Sequence, residues 1–189
     1  GSSQILSDGG SLTFAGNITT SPTAGARTLQ LGGTAGGVVT GNITDNGGTN
    51  IVSVTKNGAG TWELRGTNSY TGATNVITGK LGVSGTFTSN ITATTGTLAP
   101  YGTPSTTGNV NIQSGGRFEV QLDGPALGTQ YDQLSVGGSV TLYGNLDIIA
   151  APGLASGTTF TIVNKTSAGA IAGTFTGKPQ GTIFAASGS

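Results

Sequence analysis

Residues 52–85, VSVTKNGAGTWELRGTNSYTGATNVITGKLGVSG, restrict the possible folds more sharply than any other stretch of the chain. Val52 and Val54 alternate with Ser53 and Thr55, the period-two pattern of a strand with one buried face. Lys56-Asn57-Gly58 breaks that run, because Asn-Gly readily takes the positive-φ conformations of tight turns. Trp62 and Leu64 then alternate with Glu63 and Arg65 up to Gly66. A polar turn region from Thr67 to Thr74 carries Tyr70, after which Val76, Leu81 and Val83 resume the apolar beat. Short strands separated by Gly and Asn corners within about thirty residues describe one coil of a β-solenoid.

The wording of this stretch, T-K-x-G-A-G-T-x-x-L-x-G-x-N-x-Y-T-G-A-T followed by G-K-L-x-V, resembles the autotransporter-associated β-strand repeat, also called the passenger-associated transport repeat. The matching positions are Thr55, Lys56, Gly58-Ala59-Gly60-Thr61, Leu64, Gly66, Asn68, Tyr70-Thr71-Gly72-Ala73-Thr74, Gly79, Leu81 and Val83. Trp62 stands where Leu is common and Lys80 where Thr is common. The resemblance implies a bacterial β-helix located outside the cell or on its surface. It also implies a role in passenger export, in which coils form one at a time as the chain emerges. Residues 128–175 are similar to the closing region that follows the last repeat in such proteins.

Composition narrows the chemistry. Charged residues make up 7% of the chain, the net charge is zero, and there is no His and no Cys. Neither a Ser-His nor a Cys-His nucleophile pair can be built, and neither can a His/Cys metal site, so no cofactor is expected. Balanced charge leaves no electrostatic footprint for nucleic acid. No apolar run approaches the roughly 18 residues of a membrane span, so no membrane insertion is expected. Gly accounts for 36 residues, yet the alternating apolar runs between the glycines give each segment a face to bury.

Elsewhere the pattern recurs with variation. Gly16-Asn17-Ile18-Thr19, Gly41-Asn42-Ile43-Thr44 and Asn90-Ile91-Thr92 suggest a period of about 24–25 residues, counted once and then twice. Asn17, Asn42, Asn90 and Asn164 head N-x-T sequons, which read here as corner Asn followed by outward Thr. Pro100 and Pro104 predict a loop or an offset between coils over 96–107, since proline is excluded from central ladder positions. Phe118, Val120 and Leu122 form one buried face, and Leu146, Ile148 and Ile149 read as buried on both faces.

Several side chains invite a chemical reading. Ser53-x-x-Lys56 fits an acylating-serine pattern without its companion motifs, so Ser53 reads as an outward strand residue. Glu119 and Asp123 share a strand face roughly 13 Å apart, too far for paired-carboxylate hydrolysis. Glu63 and Arg65 read as a surface ion pair. Trp62 reads as core, while Tyr70 and Tyr101 are the candidate binding surface. Outward Thr rows are too irregular for an ice-binding face.

The expected fold is all-β, a right-handed parallel β-helix with a more irregular C-terminal closing region. Residues 1–27 form an N-terminal coil and edge, 28–100 the repeats including 52–85, and 101–189 the later coils and closing region of one continuous domain. About eight coils of about 24 residues would give a rod near 40 Å long. The first functional expectation is a non-enzymatic stalk or fibre segment that associates head to tail or joins further domains of a larger chain. Gln4, Ile5, Leu6, Ile183 and Phe184 are the candidate self-association strands. The second is an adhesin module for glycans or a host surface. A carbohydrate-active enzyme ranks third.

Overall fold

The computed structural model describes residues 1–21 and 25–179. Among the described residues there are twenty-two strands and no helix. The chain winds so that every third strand returns to the same sheet. The first sheet holds β1 (Ser2–Leu6), β4 (Arg27–Gly32), β7 (Val52–Lys56), β10 (Thr74–Val76), β13 (Ile91–Ala93), β16 (Val110–Ile112), β19 (Val140–Leu142) and β22 (Ala172–Gly173). The second holds β2 (Leu12–Phe14), β5 (Gly36–Val39), β8 (Thr61–Leu64), β11 (Lys80–Val83), β14 (Thr97–Pro100), β17 (Arg117–Leu122) and β20 (Asn145–Ala150). Along the third side run β9 (Thr67–Asn68), β12 (Thr86–Phe87), β15 (Ser105–Thr106), β18 (Leu134–Val136) and β21 (Val163–Lys165). A separate pair, β3 (Ile18–Thr19) and β6 (Ile43–Thr44), lies at the N-terminal end. Each of these pairings is parallel and in register, which makes the chain a β-solenoid.

Its core is a stack of inward side chains. Trp62, Leu81, Leu98 and Phe118 follow one another on adjacent strands, and all four are fully buried. The indole is admitted because Gly37 lies beside it; a Cβ there would come within 3.1 Å of the ring. Trp62 Nε1 donates to the Gly32 carbonyl at 2.8 Å, so its one polar group is satisfied. At the corner before β5, Gly36 has φ of 95° and its missing side chain would meet the Thr61 backbone, so no other residue suits the position.

The coils are not of one length. Ser2 lies beside Thr28 and Arg27 beside Val52, giving coils of 26 and 25 residues. Val54 then pairs with Thr74, Thr74 with Ile91 and Ile91 with Val110, which gives 20, 17 and 19. Val110 beside Val140 and Thr141 beside Ala172 give 30 and 31. A uniform period near 24 therefore fails. The Asn90-Ile91-Thr92 strand lies in the first sheet, whereas the two earlier Gly-Asn-Ile-Thr corners lead into β3 and β6. Their shared wording reflects a common corner chemistry: Asn17 Oδ1 accepts from the Asn42 amide, and Asn90 Oδ1 from the Asn109 amide.

Two further expectations are corrected. Pro100 ends a central strand and stands beside Val83. The ladder tolerates it because the pairing of β14 with β17 has stopped at Leu98 and Phe118, so no partner strand needs the missing N–H. Tyr101 N resumes the bond to Val83 O at 2.8 Å on the other side. Ile149 is 52% exposed, because β20 is the last strand of its sheet and residue 149 points outward. The closing region is more irregular, as expected, with no strand between Ala150 and Val163. Phe175 stacks on Phe118 with ring centroids 5.9 Å apart, and Tyr131 meets Phe160 edge-on at 5.1 Å.

Candidate functional site

Successive residues of a strand point to opposite faces, so the register of the second sheet fixes what its outer surface carries. One outward column runs Val38, Glu63, Gly82, Ala99. Beside it runs a second column of Thr61, Lys80, Thr97, Arg117 and Asn145. Glu119 and Asp147, adjacent on β17 and β20, complete the face. Three of the chain's seven basic residues and three of its seven acidic ones thus gather here: Arg65, Lys80 and Arg117, with Glu63, Glu119 and Asp147.

They are paired. Arg65 Nη2 donates to Glu63 Oε2 at 2.8 Å, as the sequence suggested. Lys80 Nζ reaches across β14 to Glu119 Oε1 at 2.5 Å, and Arg117 holds both oxygens of Asp147 at 2.6 and 2.8 Å. Ser84 Oγ donates to the other oxygen of Glu63 at 2.8 Å. Amid this network Tyr101 lies over Gly82, whose missing side chain leaves room for the ring. Partial burial, and then the charges of Glu119, Glu63 and Asp132, push its phenol pKa up. Asp132 is itself engaged, accepting from the amides of Gly102 at 2.7 Å and Gln121 at 3.0 Å.

The first sheet presents a different surface. Its central outward column reads Gln4, Gln30, Thr55, Asn75, Thr92, Asn111, Thr141, without a charge or an aromatic ring.

Of the two tyrosines expected at the surface, only Tyr101 is there. Tyr70 is fully buried and offers no binding surface. It fills the turn between β9 and β10 from the inside, its hydroxyl 2.5 Å from Thr74 Oγ1, which in turn is 2.8 Å from Ser89 Oγ. Burial pushes its pKa up to about 12. Nothing in a Thr-Asn-Ser-Tyr-Thr-Gly segment signals an inward ring. Gln4, Ile5 and Leu6 lie on β1, an edge strand of the first sheet among the described residues; Ile183 and Phe184 lie outside the described residues. Lys56 belongs to the core although its residue type does not signal it. Its side chain is inward and fully buried, with Nζ donating to the carbonyls of Gly58 at 2.6 Å and Thr78 at 3.1 Å. Desolvation lowers its pKa to about 8.

The enzymatic options are narrow in geometric terms. Glu63 on β8 and Glu119 on β17 are three strand spacings apart, about 14 Å across the sheet, beyond the reach of cooperating carboxylates, and the adjacent pair Glu119 and Asp147 is tied up by Lys80 and Arg117. Among the described residues no group of three or more His, Cys, Asp or Glu side chains could hold a metal ion.

Comparison with known proteins agrees with this architecture. Residues 54–83 match the family model of the passenger-associated-transport-repeat. Over 80 residues the chain is 42% identical to the adhesin BmaC autotransporter of Brucella suis biovar 1 (strain 1330); the match takes in 39% of this chain and 2% of that protein. No solved structure matches. The matched residues span β8 to β11 and most of the preceding strand β7, so the chain carries an autotransporter-associated repeat set in a parallel β-solenoid.

Proposed function

We propose that the chain is a non-enzymatic, rigid segment of a surface-displayed or secreted bacterial protein, spacing or displaying other parts of it. The observation that carries this reading is the unbroken core through successive coils, with a passenger-associated transport repeat at its centre. Coils that bury their apolar side chains only against their neighbours suit a chain that folds progressively during export. Deleting β7 to β11 from a displayed passenger tests it: protease shaving of intact cells should release far less of the passenger. Undiminished surface release would overturn the reading. End-to-end association through the edge strand β1 is part of the same proposal. A chain that stays monomeric in light scattering at high concentration excludes that part.

A second reading, adhesion, is favoured by one specific observation. The second sheet gathers six charged residues and a part-exposed tyrosine, while the first sheet's central outward column is uncharged. The similar Brucella protein is named an adhesin. A rod that served only as a spacer has no need of such a face.

A further inference from the structure

The outer face of the second sheet has a floor, a ring and a strap. Gly82 and Ala99, adjacent in register, form the floor. Tyr101 lies over Gly82, and the Lys80 side chain spans β14 to reach Glu119. Each carboxylate near the ring already has partners: Glu63 has Arg65 and Ser84, Glu119 has Lys80, and Asp132 has two backbone amides. Three carboxylates against two cations leave the patch close to neutral. An anionic ligand would have to compete for cations that are already paired, and a cationic one would have to displace them. What the patch offers freely is one part-exposed aromatic ring bordered by fixed hydrogen-bonding oxygens and nitrogens. That combination matches a sugar ring, whose C–H face packs on an aromatic surface while its hydroxyls bridge to the rim. The first sheet's central outward column, with hydroxyls and amides but no ring, lacks half of it.

We propose that Tyr101, with Glu63, Arg65, Lys80 and Glu119 around it, binds an uncharged glycan; this rests on the adhesion reading above. The test uses the full chain and a panel of soluble oligosaccharides, some of neutral hexose and N-acetylhexosamine units, others bearing uronate or sialate. Affinities are read by titration calorimetry. Neutral oligomers should bind, with affinity falling about tenfold in Tyr101→Ala, a loss of the order of one aromatic contact. Tyr101→Phe keeps the ring and should retain binding within about twofold, as should Thr92→Ala on the first sheet. Circular dichroism checks that each variant folds; if Tyr101→Ala does not, Glu119→Gln takes its place and should weaken binding about threefold or more. Neutral glycans that bind Tyr101→Ala, or the folded Glu119→Gln, as tightly as the parent chain overturn this placement and leave adhesion standing. Binding confined to uronate- or sialate-bearing glycans overturns the neutral assignment. No binding anywhere in the panel overturns the glycan assignment of this site, and leaves adhesion to a non-glycan surface standing as the second reading.

Discussion

Lys56 and Tyr70, buried in the same coil, give this nearly uncharged chain a defined response to pH. Lys56 has its pKa lowered to about 8 by desolvation, below its ordinary 10.5. Between those values the unfolded chain binds the extra proton, so stability rises with pH across that window, and below pH 8 the cost of the buried ammonium is fully present. Tyr70 acts in the opposite sense. Its hydroxyl stays protonated in the fold to about 12, against an ordinary 10, so the stability it contributes is intact below pH 10 and is lost as pH climbs toward 12. Melting temperature followed by circular dichroism should therefore rise from pH 8, peak near pH 10 and fall beyond it. Lys56→Met should remove the rising limb and leave the fall. A flat profile between pH 8 and 10 in the parent chain would show that the ammonium is better solvated than its surroundings suggest. The sequence hinted at none of this, because Lys56 ends an alternating run and reads equally well as the first residue of the turn.

At the scale of strands, legibility followed how far an interaction reaches along the chain. The alternations Val52–Val54, Trp62–Leu64 and Phe118–Val120–Leu122 were readable because the inward face is set by each strand alone. The placement of Trp62 in the core was readable for the same reason. Pro100 was misleading because its tolerance depends on where the neighbouring pairing stops. Lys80 and Glu119, 39 residues apart, could not be paired without knowing that the coils shorten to 17 and 19 residues between them. That pair also carries the next prediction. Its side chains are 29% and 16% exposed, so the interaction is partly screened rather than buried. A double-mutant cycle with Lys80→Met and Glu119→Gln, read by urea denaturation, should give a coupling of about 0.5–1 kcal/mol that shrinks in high salt. Coupling above about 3 kcal/mol would mean that the pair behaves as a buried one.

Over the whole rod, stability depends on neighbours, since each coil buries its apolar side chains only against the coils above and below. Among the described residues the N-terminal coil has a neighbour on one side. Ile5, Phe14 and Ile18 remain partly exposed, whereas Leu31, Val39 and Ile43, their register partners one coil further in, are fully buried. Among the described residues strand β1 likewise pairs on one side alone, and Leu6 on it is 57% exposed. Amide hydrogen exchange should follow this gradient: fast in β1 and β2, slower in β4 and β5, slowest in β8, β11 and β14, where local opening approaches global unfolding. Protein concentration separates an isolated rod from an associating one. If a second copy adds its end to β1, the amides of β1 that face away from β4 gain partners, and their exchange slows as concentration rises while that of β11 does not change. Exchange in β1 that is fast and independent of concentration would leave this edge open in solution and remove end-to-end association from the proposal.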